Sequence, residues 1–244
     1  MAPADGRRHV LLISSSNLHG TGYLDHAEAE IIRSLAGVSR VLFVPHALFD
    51  RRAYAAKART RFERMGFALD SADEASDARG AIRDAEAVFV GGGNTFRLLA
   101  ALYALDLIEP IRRRVAEGMP YVGSSAGAIV AGPSLGTTKD MPIVEPPSFD
   151  ALSLVPFQIS PHYLDPDPRS THMGETQEER IRQFHEENAT PVAGLREGAM
   201  LVCEDGRFSL RGVAGARLFR QGREPVEVVP GADATEFLTV GAPS

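Results

Sequence analysis

The chain contains one cysteine, Cys203, in 244 residues. One thiol closes no intrachain disulfide, which fits a reducing, cytosolic setting. There is no run of about 18 apolar residues, so no membrane span is expected. Arginines precede the apolar run in "MAPADGRRHVLLISSS", but that run ends in polar residues too early for a signal-peptide core. It reads as a first strand. Basic residues are fewer than acidic ones, 26 Lys and Arg against 32 Asp and Glu, for a formal charge of −6. A nucleic-acid surface calls for clustered basic side chains, so nucleic acid is not expected as a partner. The one basic run, Arg112-Arg113-Arg114, lies in a helical pattern whose apolar positions are Ile108, Ile111 and Val115. It reads as a solvated helix face. No Cys or His cluster has metal-ligand spacing, and neither a metal nor another cofactor is expected. There is no internal repeat and no low-complexity segment.

Apolar residues make up 44% of the chain and charged residues 24%, within the range of globular domains. The whole length, 1–244, reads as one domain, since no linker-like stretch divides it. Strands are expected at "HVLLIS" (9–14), "RVLFVPHA" (40–47), "AEAVFVGGG" (85–93) and "PYVGS" (120–124). Helical patterns fill 23–37, 50–65 and 95–118, the last with a break near Pro110. Continuous Val, Ile, Leu and Phe runs separated by helices predict an α/β fold: a mostly parallel sheet covered on both faces, in an α/β/α sandwich. Residues 132–156 lose periodicity and are rich in Pro, Gly and Thr. A connection of that length without regular structure is usually functional. "FQISPHY" (157–163) reads as a strand, "GETQEERIRQFHEEN" (174–188) as a polar helix, and the C-terminal stretches as strands and β-hairpins. Asp205-Gly206 suits a two-residue turn.

In "YVGSSAGAIVAGP" (121–133), only Ser125 lies in Gly-x-Ser-x-Gly register, between Gly123 and Gly127; Ser124 occupies an x position. A nucleophile at a strand's end must turn sharply into a helix, and flanking glycines remove the Cβ clashes that block such a turn. The Ala126 amide then faces the same space as an oxyanion donor. The plainer reading is a tight turn with small residues for close packing. Gly91, Gly92, Gly93 and Asn94 end the preceding strand and offer further amides. A phosphate cradle is disfavoured there, because neither glycine-rich nucleotide motif is met.

A serine nucleophile needs a base, and histidine serves near neutral pH. Of seven histidines, His162 follows Pro161 at a strand end and is the leading candidate, with His46 second. His9, His26 and His185 read as structural or exposed. Two carboxylates are candidates for orienting the imidazole, Asp140 in the long loop and Glu197 beside Gly198. Cys203, in "MLVCE", reads as core.

The stretches "HVLLISSS", "VGGGNTFRLL", "YVGSSAGA", "TTKDMPIVEPPSFDALSLVPFQISPHY", "GETQEERIR" and "GLREG" together resemble peptidase E, the α-aspartyl dipeptidase family of serine peptidases. The resemblance covers nearly the whole chain. It implies a Rossmann-like α/β/α sandwich similar to class I glutamine amidotransferase domains, whose elbow carries cysteine where this chain has Ser125. By motif, Ser125 matches the nucleophile and His162 the base. Asp140 matches a loop aspartate of the charge relay, and Glu197 a glutamate also proposed for that place. Glu197 stands slightly ahead, because a strand end holds an imidazole better than a loop does. Gly91 to Gly93 and Ala126 match the oxyanion region. The implied substrate is a dipeptide beginning with aspartate, cleaved through an acyl-enzyme, by a monomer or homodimer. The family pattern places Arg directly after Gly-Glu-Thr, where this chain has Gln177, and Arg180 one helical turn on is the candidate substitute cation. Two other classes remain: a non-catalytic module whose glycine loops hold a small anion, and a serine hydrolase acting on another small acyl or amide substrate.

Overall fold

A computed structural model describes residues 8–239 except 168, 170 and 172. His172 therefore lies outside the described residues. The strands are β1 (His9–Ile13), β2 (Arg40–Val44), β3 (Ala68–Ser71), β4 (Ala87–Val90), β5 (Tyr121–Ser124), β6 (Gln158–Ser160), β7 (Val192–Leu195), β8 (Ala199–Glu204), β9 (Arg207–Gly212), β10 (Ala216–Phe219) and β11 (Val226–Val228). The helices are α1 (Glu28–Ser34), α2 (Arg51–Arg64), α3 (Ala78–Asp84), α4 (Thr95–Ala104), α5 (Ile108–Ala116), α6 (Ala126–Ile129), α7 (Gln177–Glu187) and α8 (Thr235–Leu238).

Seven strands form a mixed sheet in the order β3-β2-β4-β5-β1-β8-β9. The pairs from β3 to β1 are parallel, and β8 and β9 add on antiparallel. Side chains alternate across it. Val10, Leu12, Val44, Val88 and Val90 pack with residues of α3 to α6 on one face. Leu11, Ile13, Phe43, Phe89 and Val122 pack with residues of α1 and α2 on the other. This double burial explains why the strands read as unbroken apolar runs. The expected β8–β9 hairpin forms, with Asp205 and Gly206 both at positive φ (52° and 78°), as a primed two-residue turn requires.

Four expectations change. "FQIS" does not join the main sheet: β6 begins a second, four-stranded sheet, β11-β10-β7-β6, in which β6 and β7 run parallel. The long loop carries the chain off the first sheet before β6 forms. The helix break lies at Leu105 to Leu107, where Asp106 has φ of 51°, rather than at Pro110. Pro110 sits in the first turn of α5, where its missing N–H has no intrahelical partner to lose. Arg112 and Arg114 are not simply solvated: Arg112 donates to the Leu152 and Ala151 carbonyls and Arg114 to the Ala85 carbonyl. Strand β3 and helix α3 form where no element was expected. Among the described residues no helix is long and apolar enough to cross a membrane.

Candidate active site

Three strand ends meet at one place. Gly91 follows β4, Ser125 follows β5 and Ser14 follows β1, and β5 lies between the other two in the sheet. Open α/β sheets bind ligands outside such carboxyl ends. Ser125 has φ 52° and ψ −108°, a backbone conformation that non-glycine residues rarely adopt. Its amide donates to the Ile13 carbonyl at 2.9 Å, and its carbonyl accepts from the Ala128 and Ile129 amides. The flanking glycines are sterically required. A Cβ on Gly123 would sit 2.5 Å from the Gly127 carbonyl oxygen, and one on Gly127 would run into the Val90 carbonyl. The register that singled out Ser125 is thus the register of an elbow pressed against β4. Ser124, the last residue of β5, is fully buried.

Ser125 Oγ lies 2.9 Å from His162 Nε2, and His162 Nδ1 lies 3.0 Å from Glu197 Oε1. His162 follows β6 and Glu197 follows β7, its parallel neighbour, in which Ser160 pairs with Gly194. That pairing sets the two side chains side by side. The second sheet is tied to the first by Ser14, whose hydroxyl donates to the Leu195 carbonyl at 2.8 Å and accepts from the His162 amide at 2.9 Å. Nothing in "LISSS" distinguishes Ser14 from its serine neighbours.

Asp140 is placed elsewhere. Its carboxylate accepts from the Thr95 amide at 2.7 Å and the Thr95 hydroxyl at 2.5 Å, at the start of α4. It fastens the long loop to the glycine turn. The runner-up base His46 is buried and its Nε2 faces Asp73 at 3.8 Å, whereas the ring beside Ser125 Oγ is that of His162. Burial, with Arg51 nearby, pushes its pKa down to about 4 against the pull of Asp73, so the ring is neutral near pH 7. Cys203 is buried as expected, and burial raises its thiol to about 11.

The glycine turn divides in role. Gly91 is not a free donor, because its amide is committed to the Val44 carbonyl at 3.2 Å. Gly92 faces the nucleophile: a Cβ there would lie 3.0 Å from Ser125 Cβ. The Gly93 and Ala126 amides meet no acceptor among the described residues. Asn94 is structural: its Oδ1 accepts from the Arg97 amide as the cap of α4, and its Nδ2 donates to the Met141 carbonyl. Gly92 and Gly93 also line an open cleft of about 540 Å³ with Tyr23, Leu48, Phe49 and Tyr54.

On the other side, Gln177 opens α7 behind the Thr176–Glu179 capping box. Its amide faces the backbone that carries His162, with Nε2 donating to the His162 carbonyl at 3.1 Å. Arg180 lines a small pocket of about 80 Å³ with Gln177, Lys139 and Ser160, and pairs loosely with Glu175 at 3.6 Å. Lys139 was not singled out in the sequence, where one lysine in a polar loop carries no signal. Among the described residues no cluster of three or more His, Cys, Asp or Glu side chains is placed to hold a metal.

Comparison with known proteins agrees with the likeness seen in the motifs. Residues 10–211 match Peptidase family S51. A Streptomyces coelicolor protein named peptidase E is 52% identical over 232 residues, covering 95% of this chain and 96% of its own. A Drosophila melanogaster protein named probable alpha-aspartyl dipeptidase is 47% identical over 234 residues, covering 95% and 98%. The solved structure of a putative peptidase E protein from Listeria monocytogenes superposes with a TM-score of 0.66 at 20% identity, covering 85% of this chain and all of that one. That last likeness concerns the fold alone.

Proposed function

The chain belongs to peptidase family S51, and from that premise we propose that it hydrolyses dipeptides, with aspartate as the first residue, through a Ser125–His162–Glu197 relay. The observation that carries this is the unbroken line from Ser125 Oγ to His162 Nε2 at 2.9 Å and from His162 Nδ1 to Glu197 at 3.0 Å. Ser125 Oγ attacks the peptide carbonyl while Nε2 takes its proton. Glu197 holds the ring in the tautomer that leaves Nε2 free to accept, and it stabilises the imidazolium that forms. The Ala126 and Gly93 amides, which meet no acceptor among the described residues, are the oxyanion donors in this reading. His162 then protonates the leaving amine, and water hydrolyses the acyl-enzyme. The names of the relatives support the dipeptide and its first residue. The 244 residues form one peptidase domain on this proposal. On the same proposal the mixed sheet, with apolar clusters on both faces, is read as a three-layer, Rossmann-like sandwich similar to that of the class I glutamine amidotransferases.

The test is Ser125→Ala beside Ser124→Ala on purified protein with Asp-Leu. Loss on the order of 10⁴-fold or more is expected for Ser125→Ala. Near-normal turnover in that variant sinks the assignment. One observation favours a second reading, a related exopeptidase with another first-residue preference: Gln177 brings no charge where the family pattern has Arg. Asp-Leu, Asn-Leu and Ala-Leu compared side by side separate the two readings. Arg180→Ala in the same panel shows whether Arg180 supplies the cation.

A further inference from the structure

His162 has φ of 52°, so the proposed base sits on backbone in the left-handed region that favours glycine. A side-chain-bearing residue stays there only when its surroundings over-determine it. The His162 amide is held by Ser14. The carbonyl side is held by two side chains from distant segments. Lys139 Nζ donates to the Pro161 carbonyl at 2.5 Å, to Gln177 Oε1 at 3.0 Å and to the His162 carbonyl at 3.4 Å. Gln177 Nε2 donates to that same His162 carbonyl at 3.1 Å, and Gln177 Oε1 accepts from the Leu164 amide at 3.2 Å. The three ammonium protons meet three protein oxygens, and both ends of the Gln177 amide are occupied. Lys139 has no proton left over to read a substrate, and Gln177 keeps only one Nε2 proton, since its Oε1 already accepts twice.

We propose that Lys139 and Gln177 are positioning residues which together clamp residues 161–164 and so hold the His162 imidazole between Ser125 and Glu197. The proposal rests on the relay reading of the site, but it gives Gln177 a different task from first-residue recognition. An arginine at position 177 has no acceptor to offer Lys139 or the Leu164 amide, so lysine and glutamine work here as a pair. A ring displaced by about 1 Å costs on the order of a hundredfold in rate. Loss of either partner therefore lowers kcat and leaves KM nearly unchanged.

The clamp also has a pH signature. Burial lowers the Lys139 pKa to about 8, with the Asp140 carboxylate opposing and the Arg180 guanidinium of α7 adding to the fall. The remaining groups facing it are the uncharged oxygens of Pro161, His162 and Gln177. Above pH 8 one donor becomes a lone pair facing a carbonyl, and the clamp loosens.

The experiment measures kcat and KM with Asp-Leu and Ala-Leu between pH 6 and 10 for wild type, Lys139→Met, Lys139→Arg, Gln177→Ala and Gln177→Glu. The rate of Ser125 labelling by a fluorophosphonate is followed in parallel. Expected are about tenfold or greater losses in kcat and labelling for Lys139→Met, Gln177→Ala and Gln177→Glu, with the Asp-Leu to Ala-Leu ratio unchanged. Lys139→Arg recovers most of the rate and moves the alkaline limb upward from about pH 8, since guanidinium stays charged. Near-wild-type kcat in both Lys139→Met and Gln177→Ala overturns the proposal. So does a changed substrate ratio with kcat intact, or an alkaline limb that stays put in Lys139→Arg. If wild type cleaves neither dipeptide, the dipeptidase reading fails while the labelling rates still judge the clamp. If the alanine and methionine variants do not fold, the Lys139→Arg pH profile decides it.

Discussion

Replacing Glu197 by Gln and Asp140 by Asn, separately, distinguishes the two carboxylates that the sequence leaves open. Glu197 Oε1 lies 3.0 Å from His162 Nδ1, with the two side chains 50% and 42% exposed. At a charge separation of about 4 Å the attraction to a developing imidazolium is ~1 kcal/mol in water and ~4 kcal/mol at an effective dielectric of 20. This site is half open to solvent, so about 1.5–3 kcal/mol is the working range, or roughly 10- to 150-fold in kcat. Loss of charge alone sets this range; an Asp→Asn change that also leaves the imidazole in the wrong tautomer costs ~10⁴-fold. Glutamine removes the charge and can also turn an N–H donor toward Nδ1, so the loss reports charge together with any shift of tautomer. Asp140 behaves differently, because its carboxylate binds the Thr95 amide and hydroxyl. The Asp140→Asn variant loses a charge-assisted pair worth about 2 kcal/mol, which lowers Tm by about 4–8 °C. Steady-state kinetics with Asp-Leu and a thermal melt check both variants. The reasoning is refuted if Asp140→Asn costs more kcat than Glu197→Gln at a temperature where both are folded, or if Glu197→Gln is within twofold of wild type.

Two further outcomes follow from the same geometry. Gly127→Ala forces a Cβ against the Val90 carbonyl, a backbone atom that cannot step aside. A stability loss of about 3 kcal/mol, or about 6–12 °C in Tm, is expected together with lost activity. Thr176→Ala removes the capping box that starts α7 immediately before Gln177. It costs about 1 kcal/mol in stability, read as a Tm lower by about 2–4 °C, and kcat falls with it as the first turn frays.

The central strands could be read from the sequence because each is buried on both faces, leaving continuous apolar runs at β1, β2, β4 and β5. Strand β3, "ALDS", escaped because it is an edge strand of four residues with Asp70 exposed and reached by Arg40. The second sheet escaped because its strands, legible one by one, pair between segments far apart in the chain, β6 with β7 and β7 with β10. Ser125 was readable because its signal is local, two glycines within two residues of it, although Gly127 makes room for the Val90 carbonyl of β4. Gly91 and Asn94 were read as site residues from proximity, yet their hydrogen bonds turn to Val44, Arg97 and Met141.

Local sterics were thus determined by the sequence itself, in the elbow, the capping box of α7 and the Asp205-Gly206 turn. The capping box and the turn are complete within a few residues, whereas the glycines that mark the elbow are local but one of them answers to the Val90 carbonyl of β4. Which carboxylate lies beside His162, and what Gln177 hydrogen-bonds to, are set only by the tertiary structure. Glu197 reaches His162 because β6 and β7 pair in parallel, and Asp140 does not because Thr95 takes its carboxylate. Gln177 meets Leu164 across 13 residues and Lys139 across 38. Hydrogen bonds over such separations depend on the register of strands and the path of a loop, which single-residue chemistry does not encode.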